Sequence, residues 1–216
     1  MKKLALLFGL GALITSLLTA QNLPQGSTGA VARIVKGEPK YTNGDQVLPV
    51  KRGATIPVGA TVTTGAGELV ILRLSNGGKI VVYQNSEVTL QAEAGNASKL
   101  ELHQPKGFTW SRLPKLKQEE SFKVVTASYS AGIRGTAFSV DSLENGETRV
   151  CVCEGAVHVE GNGKETTVNQ GQLVHAQPGQ DLSPMSDLKF LEHPTAAHMS
   201  CIRCHKGGYS RDNLYR

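Results

Sequence analysis

The chain has few aromatic residues, few cysteines and no long apolar run beyond its first twenty positions, and each shortage removes a class of protein. Aromatics make up 5% of the 216 residues, so a core must rest on Val, Leu, Ile and Ala. Four cysteines are too few to staple a chain of this length as a disulfide scaffold. After position 20 nothing approaches the roughly 20 apolar residues that cross a bilayer as a helix. Charge of one sign is not concentrated anywhere. The formal net charge is +5, falling to +3 without Lys2 and Lys3, and no basic block stands out. That balance describes a mildly basic surface and excludes a nucleic-acid footprint. Enzyme signatures are missing too. There is no Ser-His-Asp order, no phosphate-cradling loop and no carboxylate pair in a helical context, which argues against hydrolysis and phosphoryl transfer. A non-enzymatic protein is expected.

The first twenty residues have the features of a leader. Met1-Lys2-Lys3 is a positive start, Leu4 to Leu18 an apolar run, and Thr19-Ala20 a small-residue end, so cleavage after Ala20 is expected. Leu18, two positions before Ala20, is not ideal for the peptidase, and an uncleaved anchor is the alternative. Export to the periplasm or beyond follows, with no other transmembrane segment. The chain then divides into a linker at 21–29, a domain at 30–180 and a tail at 181–216.

From Ala30 to Ala176 the apolar residues alternate with period two. Ala32/Ile34 with Val31/Val35, Val70/Leu72/Leu74, Ile80/Val82, Val88/Leu90 and Leu100/Leu102 each place one face on a core. Asn43-Gly44-Asp45, Gly65-Ala66-Gly67, Asn76-Gly77-Gly78, Asn145-Gly146 and Gly161-Asn162-Gly163 carry turn chemistry. No amphipathic helix interrupts them. The pattern predicts an all-β domain: an antiparallel sandwich, a jelly roll or a short β-helix, with an irregular or short-helical tail. The clearest hairpin runs from Arg134 to Val159. In it Thr136, Phe138 and Val140 share one face, Asn145-Gly146 makes a two-residue turn, and Val150 and Val152 share a face of the return strand.

These segments carry a resemblance. Gly59-Ala-Thr-Val-Thr-Thr64-Gly65, Leu72-Arg-Leu-Ser-Asn76-Gly77-Gly78-Lys-Ile80 and Phe122-Lys-Val-Val-Thr126 come first. Gly132-Ile-Arg134-Gly135-Thr136-Ala-Phe138-Ser-Val140, Thr148-Arg-Val-Cys-Val-Cys-Glu154-Gly155-Ala-Val157 and Gln170-Gly171-Gln172 follow. Together, over about residues 30–180, they resemble the FecR-type periplasmic domain. Two details depart from it: Asn76 stands for the family's Asp, and Ala127 for its Pro. The resemblance implies an extracytoplasmic β domain used for protein contact and signal reception rather than catalysis. The family's signalling members add a cytoplasmic sigma-factor-controlling segment and a membrane helix. Neither is expected here, so that role is not transferred. Arg134 and Glu154 sit in the family's most recognisable segments and read mainly as residues that serve strand junctions.

The remaining chemistry lies in cysteine and histidine. Cys151 and Cys153, two apart on a strand, project from one face, opposite Val150 and Val152. They form a candidate redox pair; the alternatives are a bridge that merely locks the strand, two half-buried thiols, or part of a four-thiolate zinc site. Cys201-Ile202-Arg203-Cys204-His205 has the spacing of a c-type haem attachment site. Cys201 and Cys204 would hold the porphyrin covalently, and His205 would ligate iron from the proximal side. His198, His193 and Met199 are candidate distal ligands, with Met185 behind them. The stretch resembles a single haem-binding segment of a multihaem cytochrome, because only 11 residues follow His205. Zinc or a Cys201–Cys204 disulfide would use the same thiols. The expected partner is an envelope protein or a redox protein.

Overall fold

The computed structural model describes residues 29–186 apart from positions 94, 95, 134, 178, 180, 181 and 183. These residues form seventeen strands and, among them, no helix. β1 is Ala30–Lys36, β2 Lys40–Asn43, β3 Gln46–Pro49, β4 Thr55–Ile56, β5 Thr61–Thr63 and β6 Leu69–Arg73. β7 is Lys79–Val82, β8 Glu87–Glu93, β9 Asn96–Arg112, β10 Ser121–Val125, β11 Ser130–Ile133 and β12 Ala137–Ser142. β13 is Thr148–Glu154, β14 Ala156–Gly161, β15 Lys164–Asn169, β16 Gln172–Ala176 and β17 Met185–Ser186.

Two ladders share one long strand. Ladder A runs β4-β1-β6-β7-β9-β12-β13-β16-β17 and is antiparallel throughout. Ladder B runs β3-β2-β5-β8-β9-β10-β11-β14-β15, with β9–β10 its one parallel pair. The first half of β9 belongs to B and the last six residues to A. Their inner faces meet in one core: Val62, Val88, Leu102 and Phe122 from B lie with Leu72, Ile80, Phe138 and Val152 from A. The all-β expectation therefore stands: the described strands form one mixed sheet whose two ladders pack over a shared core. A short β-helix is not formed, since it would stack parallel rungs and the described strands contain one parallel pair.

Where β9 changes ladder, Gly107 adopts φ +92°, and a Cβ there would lie 2.2 Å from Ser86 Oγ. Gln104, fully buried, fixes the bend. Its amide donates to the carbonyls of Gly107 (2.6 Å) and Val140 (3.1 Å) and accepts from the Thr109 hydroxyl (2.7 Å). A buried amide with this many partners specifies one geometry, because each unmet partner would cost free energy.

Two local expectations are corrected. Leu143 donates its N–H to the Glu147 carbonyl and Gly146 donates to the Leu143 carbonyl, so the β12–β13 turn has three residues, not two. Gly146 alone takes positive φ (+80°). The reason is local: Asn145 Oδ1 accepts the Glu147 N–H at 3.0 Å, an Asx turn that keeps Asn145 out of the left-handed region. The two-residue type I′ turn occurs instead at Asn162-Gly163, both with positive φ. The second correction concerns β1. A register shift between Ala32 and Ile34 sends Ala32 to the core and Ile34 to the opposite face.

Candidate functional site

Ladder A is apolar on both faces. Val70, Leu72, Ile80, Val82, Val140, Val150, Val152 and Val174 point into the main core. The residues between them therefore point outward. In register across successive strands these are Ile34, Ile71, Val81, Trp110, Ser139, Cys151 and Leu173. Leu69, Ile71, Val81, Trp110 and Ala137 form a second cluster, with Ile34, Tyr83 and Cys153 packed against it. Trp110 is 7% exposed, Ile71 3% and Val81 1%.

Charged rows flank this apolar band. On one side Arg73, Lys79 and Arg112 are register partners. Lys79 Nζ lies 5.2 Å from the centre of the Trp110 ring, within cation–π reach. Burial, then the charges of Arg73 and Arg112, push the Lys79 ammonium below its usual pKa. Arg112 Nη2 pairs with Glu154 Oε2 at 2.9 Å. On the other side Tyr83 and Phe108 pack at 5.0 Å with tilted rings. Next to them in register come Asp141, Arg149 and His175.

Arg149 reaches Asp141 at 3.8 Å and donates to Glu147, which also pairs with His175. Burial alone would raise the Glu147 carboxyl. The hydrogen bond with His175 and the charge of Arg149 outweigh it and hold the group below its usual range. Asp141 moves the other way, raised by burial against the pull of Arg149. The band thus joins a buried apolar cluster to a cationic edge on one side and to an edge where Arg149 and His175 meet Asp141 and Glu147 on the other. Among the described residues no group of three or more His, Cys, Asp or Glu is set to hold a metal ion. Nor do the described residues contain a helix long and apolar enough to cross a membrane.

Cys151 and Cys153 lie on this outward face, opposite Val150 and Val152, as the strand period requires. Both are disulfide-bonded, so in this state neither offers a thiolate to a metal. Cys201, Cys204, His205, His198, His193 and Met199 lie outside the described residues, as does Arg134. Met185 is in β17, register partner of Leu173.

The most recognisable motif segments meet at ladder junctions. Gly155 has φ +84°, and a Cβ there would come within 2.8 Å of Thr136 Cγ2 and 3.2 Å of the Gly135 carbonyl. Gln170 donates its N–H to the Gly155 carbonyl and Gly171 to that of Val152. The Gly135-Thr136, Glu154-Gly155 and Gln170-Gly171 pairs therefore interlock where the chain passes between ladders. Glu154 has the structural partner expected of such a residue, Arg112. A separate open groove of about 650 Å3, with Tyr129, Glu160, Asn162 and Lys164 on its walls, lies by the β10–β11 and β14–β15 turns.

Sequence reasoning missed Trp110 and the outward band. The available signal was the unbroken runs Leu69-Val70-Ile71-Leu72 and Ile80-Val81-Val82, which mark strands covered on both faces. Alternation drew attention to every second residue and away from those between.

Comparison with known proteins agrees with this geometry. The family described as FecR protein matches residues 60–158. Two crystal structures described as anti-sigma factors of Parabacteroides distasonis share the fold. One has a TM-score of 0.52 at 14% identity, over 58% of this chain and 59% of that one. The other has a TM-score of 0.53 at 12% identity, over 68% and 74%. This chain thus spans about three-fifths of the first structure's length. No curated protein matches it.

Proposed function

We propose that this chain, with a FecR-type domain at residues 60–158, is an exported signal-reception and protein-contact module that carries one covalent haem c on its C-terminal segment. The Cys201-Ile202-Arg203-Cys204-His205 spacing carries the reading. Its donor set suits the group: two thiols two residues apart for thioether bonds, and an adjacent imidazole for iron. The leader-like start supports export to a compartment where such attachment occurs. Bound haem would supply one-electron redox chemistry. Within the chain, Cys201 and Cys204 would hold the group covalently, and His205, with His198, His193 or Met199, would supply ligands to its iron. The β domain contributes contact with an envelope or redox partner. Sigma-factor control is left out, because a likeness at 12–14% identity speaks for fold alone.

The test is expression alongside haem c maturation machinery, followed by intact mass and an alkaline pyridine spectrum. One covalent haem per chain is expected, lost in Cys201→Ala/Cys204→Ala. Unmodified mass in competent cells overturns the haem reading.

A second reading has its own observation. Cys151 and Cys153 are oxidised, and the same chemistry applied to Cys201 and Cys204 gives a haem-free interaction module with a disulfide-closed tail. Peptide mapping without reduction identifies that form, and a chelator-sensitive metal signal identifies the zinc-bound tail.

A further inference from the structure

Leu69, Ile71, Val81, Trp110 and Ala137 on the outward face of ladder A are buried, although every described side chain in their cluster comes from ladder A or from Tyr83, directly after β7. An indole on the bare face of a sheet would leave much of its ring in water. Trp110 is 7% exposed and Val81 beside it 1%. A further layer must therefore cover them, and two stretches of this chain lie outside the described residues at its ends: positions 1–28 and 187–216. The first has the features of a leader removed on export, which would leave the mature protein without it. The second leaves ladder A from β17, where Met185 is opposite Leu173 and Leu173 opposite Cys151. The chain thus departs at the end of the register row that contains Trp110.

Reach and composition fit. Four strand spacings of about 4.8 Å separate β17 from β9, roughly 19 Å in all. Thirty residues at about 3.3 Å each span that distance several times over. Phe190-Leu191 follow four residues after Ser186, and Met199, Ile202 and Tyr209 supply apolar surface further on.

We infer that segment 187–216 packs across the outer face of ladder A and is the layer that buries Trp110. The inference does not depend on haem. With haem attached, it would bring Cys201, Cys204 and His205 to a face that already holds Trp110, Cys151 and Cys153. The cofactor would then be a docked part of the domain rather than a group on a loose tether.

Trp110 is the single tryptophan of the chain, so its fluorescence reports on this face alone. The leaderless full chain, verified haem-free by mass, should show blue-shifted emission and weak acrylamide quenching. Ending the chain at Ser186 should shift emission toward that of water-exposed indole and raise the quenching constant severalfold. The full-length Phe190→Asp/Leu191→Asp variant, with its far-UV β signature retained, should show the same shift, and it decides the matter if the shortened chain does not fold. Buried emission in that variant overturns the inference. So does a shift produced in the full chain by dilution alone, which would make a second copy the cover. Exposed emission from the leaderless full chain, buried only when residues 1–28 are present, would assign the cover to the leader and overturns it as well. Intact mass reads the haem proposal separately, so either idea can fail without the other.

Discussion

Single residues set the corners of this fold, and their effects differ by what surrounds them. Gly155→Ala combines a left-handed φ with a clash against Thr136 and the Gly135 carbonyl, and should cost about 2–3 kcal/mol. Gly171→Ala, at φ +78° but with open space around its Cβ, should cost only about 1 kcal/mol. Urea unfolding of the two variants checks the contrast, and equal losses would remove the steric account of the Glu154-Gly155 segment. Gln104→Met should cost about 2–4 kcal/mol, because it strands the Thr109 hydroxyl and two carbonyls without a donor or acceptor. The Glu147 cluster carries a pH signature. Its depressed carboxyl contributes stability that is present above about pH 4.5 and lost as pH falls through the lower folded-state value. Asp141 acts with the opposite sign: its raised value means that stability falls as pH rises through it. Glu147→Gln should therefore lower stability at pH 7 by about 1–3 kcal/mol, with the gap narrowing at a pH below about 4.5. Urea midpoints at the two pH values decide this, and a gap that stays constant would show that the ion cluster contributes nothing.

At the scale of strands and turns, the same dipeptide has two outcomes. Asn162-Gly163 forms the type I′ turn that Asn-Gly favours, and Asn162 Nδ2 also donates to the Tyr129 hydroxyl at 3.0 Å. Asn145-Gly146 does not, because Asn145 caps the Glu147 N–H instead. Asn162→Ala should thus cost about 1–2 kcal/mol, through an alanine at φ +53° and the lost tyrosine contact. Thermal unfolding measures it. Strand positions and turns were legible from alternation and glycine, as β6 to β8 and the hairpins show. Not legible were the bulge that turns Ile34 outward and the division of β9 between two ladders. Both depend on which strand becomes the neighbour, and period-two alternation has no term for that.

At the scale of the whole molecule, the chain's own residues determined an all-β domain, its FecR-like motif segments and the Cys201-x-x-Cys204-His205 spacing on which the haem proposal rests. Each rests on local pattern: alternation, glycine turns, or ligand spacing within five residues. The outward projection of Cys151 and Cys153 was also settled locally, since the strand period alone requires it. Only the tertiary structure decided what that face is. It set Trp110, Val81 and Ile71 beside Cys151, placed Lys79 against the indole, and gathered Asp141, Glu147, Arg149 and His175 at one edge. It also set the motif glycines as interlocking corners between the ladders. The physical reason is the same throughout. Side-chain direction follows from a strand's own period, whereas which side chains become neighbours across a ladder depends on pairings between residues far apart in the chain, as between Ser139 and Trp110 or Trp110 and Val81.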